Sequence, residues 1–251
     1  MKGYWQKNIL NAEQIPIVSE QPVYILGKES NYKAIIDDKK EPLSIVSHIY
    51  NTTQHRDVYK YATSLDKYRL VKSQLIKGGR VLMVELEDYG RDELLEGDYF
   101  TPRVRLFNSY DRSTGLSVQS YGLRLVCDNG MIAPAFSKTF HHKHTYNNLN
   151  LHHIPEYIER AMQSWDVAKE TLAKAHRTNI KVEDALSYVK TLPKKYTKIV
   201  QENLGYKENV YDIWNELTRT ITHDVGNKVA TTTFISYQQL TNNVFKCLNR
   251  E

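Results

Sequence analysis

The stretch from Val81 to Met131 constrains the fold more than any other part of this chain. Pro102-Arg-Val-Arg-Leu-Phe-Asn108 alternates, Asp111-Arg-Ser-Thr-Gly115 supplies turn residues, and Leu116 to Cys127 alternates again. Asp128-Asn129-Gly130 then offers residues that tolerate the positive φ of a tight hairpin. Val81-Leu-Met-Val-Glu-Leu-Glu87 precedes these runs across a polar, acidic stretch, and three antiparallel strands are the arrangement this order predicts. Side chains two residues apart share a face, so Val104 and Leu106 point one way and Arg103, Arg105 and Phe107 the other. A sheet with its core on one side then leaves a cationic, aromatic outer face.

Upstream, 22–28, 33–38 and 43–47 are short β-prone runs that read as a small meander. From about Gln54 to Lys77, Val58, Tyr61, Ala62, Leu65, Tyr68, Leu70, Val71 and Leu75 recur at helical spacing, and Gly78-Gly79 ends the pattern. That predicts an amphipathic helix with a glycine stop. Beyond Thr145 the pattern is helical throughout. Pro155 suits a first turn, Ile158, Ala161, Met162, Trp165, Ala168, Leu172 and Ala175 form one apolar stripe, and Asn179 is the expected left-handed stop. Shorter helices are expected at 182–192, 194–204, 209–224 and 233–249. The predicted fold class is α+β: an antiparallel β-sheet region packed on a long helix, with an all-helical C-terminal part. Residues 1–150 are mostly β with one amphipathic helix, and 151–251 are helical and continuous with the same domain.

With 251 residues, 41% of them hydrophobic, the chain is long enough to bury a substantial core, which excludes a disordered polymer. No run approaches the roughly 18 to 20 apolar residues of a membrane span, and Met1–Lys7 leads into no signal-peptide core. A protein of the host-cell cytoplasm, with no membrane partner, is therefore expected. Cys127 and Cys247 read as buried thiols of a reducing compartment.

The formal charge of +5 is mild, but it is concentrated. Residues 101–150 hold Arg103, Arg105, Arg112, Arg124, Lys138 and Lys143 against Asp111 and Asp128 alone, interleaved with Phe107, Tyr110, Tyr121 and Phe140. Cations that follow phosphates and rings that stack on bases are the means by which single strands are bound without regard to sequence. A solvated sheet face with core tyrosines is the plainer reading of the same pattern. Nearby, His142 and His144 share a side in an extended segment, with His141, His152 and His153 close in sequence, and Glu85 and Glu87 share one strand face. The first set suggests a metal site and the second a magnesium-dependent nuclease, but neither sits in a recognised ligand pattern, so no metal or cofactor is assigned. Phosphate-loop, dinucleotide-binding and serine-esterase motifs are absent from the sequence.

Several segments match a known family in order. Ala34 to Ser47 resembles its early hairpin, Val46-Ser47-His48-Ile49-Tyr50 the element that follows, and Gly97-Asp98-Tyr99 through Leu106-Phe107-Asn108-Ser109-Tyr110-Asp111 its strand ending in Asn-Ser-x-Asp. Leu123 to Met131 resembles its Arg-x-Val-Cys-x-Asn strand, Lys143-His144-Thr145 a later basic element, and Tyr211–Thr218 with Thr222-His223 its closing helix. These residues, spanning about 34 to 224, resemble the phage and plasmid-like family built around domain of unknown function 932. One departure is Arg112, where the family often has glycine. The order of three antiparallel strands and a long helix is also similar to the core of single-strand annealing proteins of phage recombination, which bind DNA in a basic groove and form rings or filaments.

That likeness implies a non-catalytic DNA-metabolism protein whose partner is single-stranded nucleic acid, assembled as a homo-oligomer. Phosphate contact would fall to Arg103, Arg105, Arg112, Arg124, Lys138 and Lys143, base stacking to Phe107, Tyr110 and Tyr121, and either role to His144. A phage protein that binds and inhibits a host defence enzyme through exposed tyrosines is the alternative of a different class, and a metal-dependent nuclease is a third.

Overall fold

A computed structural model describes residues 9–90, 92–95, 98–124, 129–131, 140–144, 150–181, 209–225 and 230–248, with positions 184, 194, 198, 201 and 202. The strands are β1 (Ser19–Ile25), β2 (Lys28–Ile36), β3 (Pro42–Ser47), β4 (Tyr68–Ile76), β5 (Val81–Asp88), β6 (Asp92–Leu95), β7 (Asp98–Ser109), β8 (Leu116–Arg124), β9 (Asn129–Met131) and β10 (Phe140–His142). The helices are α1 (His55–Ala62), α2 (Ile154–Gln163), α3 (Trp165–Arg177), α4 (Val210–Arg219) and α5 (Thr231–Leu248). The fold is α+β with antiparallel sheets. The small one runs β1-β2-β3, and the large one β10-β8-β7-β5-β4, with β6 added to β7 and β9 to β8.

Alternation explains the large sheet, yet its core is not one-sided. Leu82, Val84, Leu86, Val104, Leu106 and Val118 bury one face against Val58 and Ala62 of α1 and Ile154, Ile158 and Ala161 of α2. On the opposite face Met83 and Phe107 join a second cluster with Trp165, Leu172, Trp214, Leu217, Val244 and Phe245 of α3, α4 and α5. The expected open cationic face is thus covered by helices, and residues of both halves of the chain share each core.

The predicted helix over 54–77 is corrected. It stops at Ala62, and Tyr68–Ile76 forms β4, paired with β5 from Tyr68↔Asp88 to Ile76↔Val81. The register shifts between Leu70 and Lys72, so a bulge at Val71 breaks the alternation that would have marked the strand. Gly78 and Gly79, at φ 65° and 89°, turn the β4–β5 hairpin rather than end a helix. Asn129 and Gly130 are also corrected from turn to strand, being paired with Arg124 and Leu123. Thr178 ends α3 in extended conformation and Asn179 bridges to Asn209, so no left-handed stop forms there. The expected helices at 182–192 and 194–204 lie largely outside the described residues, as do Cys127 and the side chain of Cys247. The one at 209–224 begins as α4 and passes into a π-helical turn, Thr220–Val225. Among the described residues no helix is long and apolar enough to cross a membrane.

The long helix is bent. Between α2 and α3, Ser164 Oγ donates to the Ala161 carbonyl (2.6 Å) and meets Ser120 Oγ of β8 (2.9 Å), which ties the bend to the sheet. All seven residues of the predicted stripe are buried. At the bend the Trp165 indole lies directly over Gly122 of β8, in space that a Cβ would occupy. Gly122→Ala is expected to lower the unfolding free energy by about 1–3 kcal/mol, because the indole must shift within a packed core. Chemical denaturation of the variant beside wild type checks this.

Candidate functional site

Strand register arranges the α5-facing side of the large sheet into rows. Arg69, Glu87, Arg103 and Tyr121 form the first, Lys72, Glu85, Arg105 and Gln119 the second, and Gln74, Met83, Phe107 and Ser117 the third, which His141 of β10 extends. In the first two rows each glutamate lies between two cations, the favourable cross-strand order. Arg103 Nε donates to Glu87 Oε2 (2.6 Å), and Glu87 also accepts from Arg69. Arg105 Nε donates to Glu85 Oε1 (2.6 Å) and Nη1 to Gln238 Oε1 of α5 (3.2 Å), with the Tyr121 ring 4.7 Å from its guanidinium carbon. Arg105 is 0% exposed and Glu85 1%. Burial pushes the Lys72 ammonium down to about 8, with Glu85 opposing the shift and Arg105 and Arg103 adding to it.

The residues expected to bind nucleic acid are therefore separated. Arg103 and Arg105 are bound to carboxylates inside the sheet face, since charges covered by helices must be paired. Tyr110 and Tyr121 are buried, and so is His144. Phe107 is half-buried, while Arg112 and Lys143 are exposed. Lys138 and the side chain of Arg124 lie outside the described residues. Glu85 and Glu87, weighed as magnesium ligands, accept from arginines instead. The histidines also diverge: His142 stacks on Tyr157, His144 faces Tyr50, His152 meets the Tyr61 hydroxyl and His153 meets Glu156.

A second polar cluster joins the two sheets. The Tyr50 hydroxyl donates to the Ser109 carbonyl (2.6 Å), Asn108 Nδ2 donates to the Thr53 carbonyl (3.1 Å) and lies 2.8 Å from His55 Nδ1, and the His55 amide donates to the Tyr110 hydroxyl (2.8 Å). The His55 and Tyr110 rings stack at 3.7 Å, the His144 ring rests on Tyr50, and the Asn51 amide donates to the His144 carbonyl (3.2 Å). Residues that the resemblance singled out far apart in sequence, Tyr50, Asn108–Tyr110 and His144, thus meet in one place. Arg112 holds φ 60° in the following turn, so it keeps the left-handed backbone that the family's glycine would favour. Asp111 fixes that turn by accepting from the Ser113 amide (2.9 Å) and pairing with Lys77 (3.5 Å).

Beyond the ion-paired rows, the same face opens into a cleft of about 360 Å³, within the size range of small-molecule sites. Phe107, Ser117 and Gln119 line it from the sheet, Lys77 from the β4–β5 hairpin, His141 from β10 and Ile235 from α5. Lys77, Gln119 and Ser117 were missed as site residues by the sequence reading. The available signal was that Ser117, Gln119 and Tyr121 put polar groups at the inward positions of β8.

The family comparison matches residues 42–249, from the first residue of β3 almost to the end of the chain, and its description is a domain of unknown function. The chain belongs to the DUF932 family. Both polar clusters and the cleft fall inside the matched region, whereas β1 and β2 precede it; the resemblance read at 34–41 lies outside. No curated protein and no solved structure matches the chain.

The joining cluster sets an acid limit on stability for this member of the DUF932 family. Burial pushes the His55 imidazole down to about 3 and that of His144 to about 4. Between pH 6.5 and those values the unfolded chain takes up protons that the folded chain does not, so stability falls as pH falls. The expected loss from pH 6.5 to 4.5, above the usual carboxylate range, is about 2–3 kcal/mol for each histidine. Urea unfolding across that interval measures it, and a flat profile contradicts it.

Proposed function

We propose that this protein binds single-stranded nucleic acid at the Phe107–His141 cleft, without cleaving it, as an annealing or recombination accessory would. The observation that carries the reading is the meeting in one opening of an aromatic ring, Phe107, with Lys77 and His141, the Lys77 ammonium remaining exposed beside Asp111 (3.5 Å). Arg112 and Lys143 are exposed on the segments next to the cleft-lining Ser113 and His141, with Asp111 in the same turn as Arg112. Rings hold bases and cations hold phosphates, so such an opening suits an unpaired strand. Of the residues first expected to make contact, Phe107, Arg112 and Lys143 keep that role. Arg103, Arg105, Tyr110, Tyr121 and His144 support the fold that positions the cleft.

Fluorescence anisotropy with single- and double-stranded oligonucleotides across a salt series tests this. Wild type is expected to prefer the single strand, with affinity falling steeply as salt rises. Lys77→Ala and Arg112→Ala should each lower the slope of log affinity against log salt by about one. Absence of binding at low salt, or slopes untouched by both substitutions, overturns the reading.

A further inference from the structure

Gln119 stands out within the cleft. The residue is 6% exposed, it lines the cavity, and its amide has no hydrogen-bond partner among the described residues. An amide on a largely buried residue that opens onto a cavity, with no protein group bonded to it, is free to bond to what enters that cavity. The cross-strand and same-face neighbours of Gln119 are bonded elsewhere. Arg105, directly opposite on β7, bonds to Glu85 and Gln238, and the Ser117 hydroxyl meets Thr114 Oγ1 (3.2 Å).

Resting on the nucleic-acid reading above, we infer that the cleft takes in one base unstacked from the strand, with Gln119 bonding to its edge and Phe107 meeting its face. Phe107 and Gln119 are diagonal neighbours on one face of β7 and β8, since Phe107 pairs with Ser117 and Arg105 with Gln119. Such neighbours stand about 7–8 Å apart, near enough for a ring and an amide to touch one inserted base. A primary amide offers a donor and an acceptor side by side, and each nucleobase has an edge with the complementary pair. The site therefore requires a base but discriminates weakly among bases. A duplex keeps its base faces stacked and is disfavoured for that reason.

The test compares an oligonucleotide with an abasic strand of the same length and charge, as ligands for wild type, Gln119→Met, Gln119→Glu and Lys77→Ala. Wild type should bind the base-bearing strand roughly tenfold or more tightly, the scale of one stacked base. Both Gln119 substitutions should remove most of that gap. Lys77→Ala should weaken both ligands by a similar factor. Equal, salt-dependent binding of the two strands by wild type overturns base insertion while leaving phosphate-led binding intact. A gap that survives in a folded Gln119 variant overturns the role of Gln119. If neither strand binds at low salt, the functional reading fails first, and the inference with it.

Discussion

Glu85 and Arg105 face each other across β5 and β7 with almost no surface in contact with water, and the layering of the molecule depends on that pair. A carboxylate and a guanidinium removed from water are tolerable only when each satisfies the other with close, well-directed bonds. Arg105 completes its set through Gln238, so the bond that satisfies the ion pair also docks α5 on the sheet. Glu87, between Arg69 and Arg103, repeats the device one row away with more exposure to solvent. The second helical layer therefore closes over a charged sheet face, with its apolar contacts gathered around Trp214, Val244 and Phe245.

This arrangement decides what is left for function. Of two arginines that look in sequence like phosphate ligands, Arg105 is interior and Arg103, partly exposed, is bound to Glu87, and the tyrosines interleaved with them are packed. Along the same face the rows change character, from ions to Phe107, Ser117 and His141, and there the surface opens. The floor of the cleft is the end of the sheet where β7 finishes and β8 begins, one side is α5, and Lys77, Ser113 and Thr114 close it from turns.

Much of the fold was legible from periodicity. The small meander, β5, β7, β8 and the apolar stripe of α2 and α3 follow from residues that repeat at two or at three and four. β4 was not, because the bulge at Val71 shifts its alternation so that Leu70, Val71 and Leu75 also fit a helix. The covering of the charged face was hidden for a different reason. Arginine and glutamate on a strand look the same whether water or a partner 20 residues away receives them, and only register reveals the partner. The candidate site suffered likewise: Phe107 was recognisable by type, but Gln119 acquires meaning only when its place in the cleft lining is seen. His55 and Asn108, 53 residues apart, carry no local signal of their meeting.

Photocrosslinking tests the central claim most directly, that the accessible strand-binding part of this sheet is the cleft and not the arginine rows. A single strand carrying 5-iodouracil would be irradiated in complex with the intact protein and the adducts located by mass spectrometry. Adducts on Phe107, His141 or their immediate neighbours are the predicted result. Adducts confined to other surfaces, with the cleft unmodified, would contradict the account.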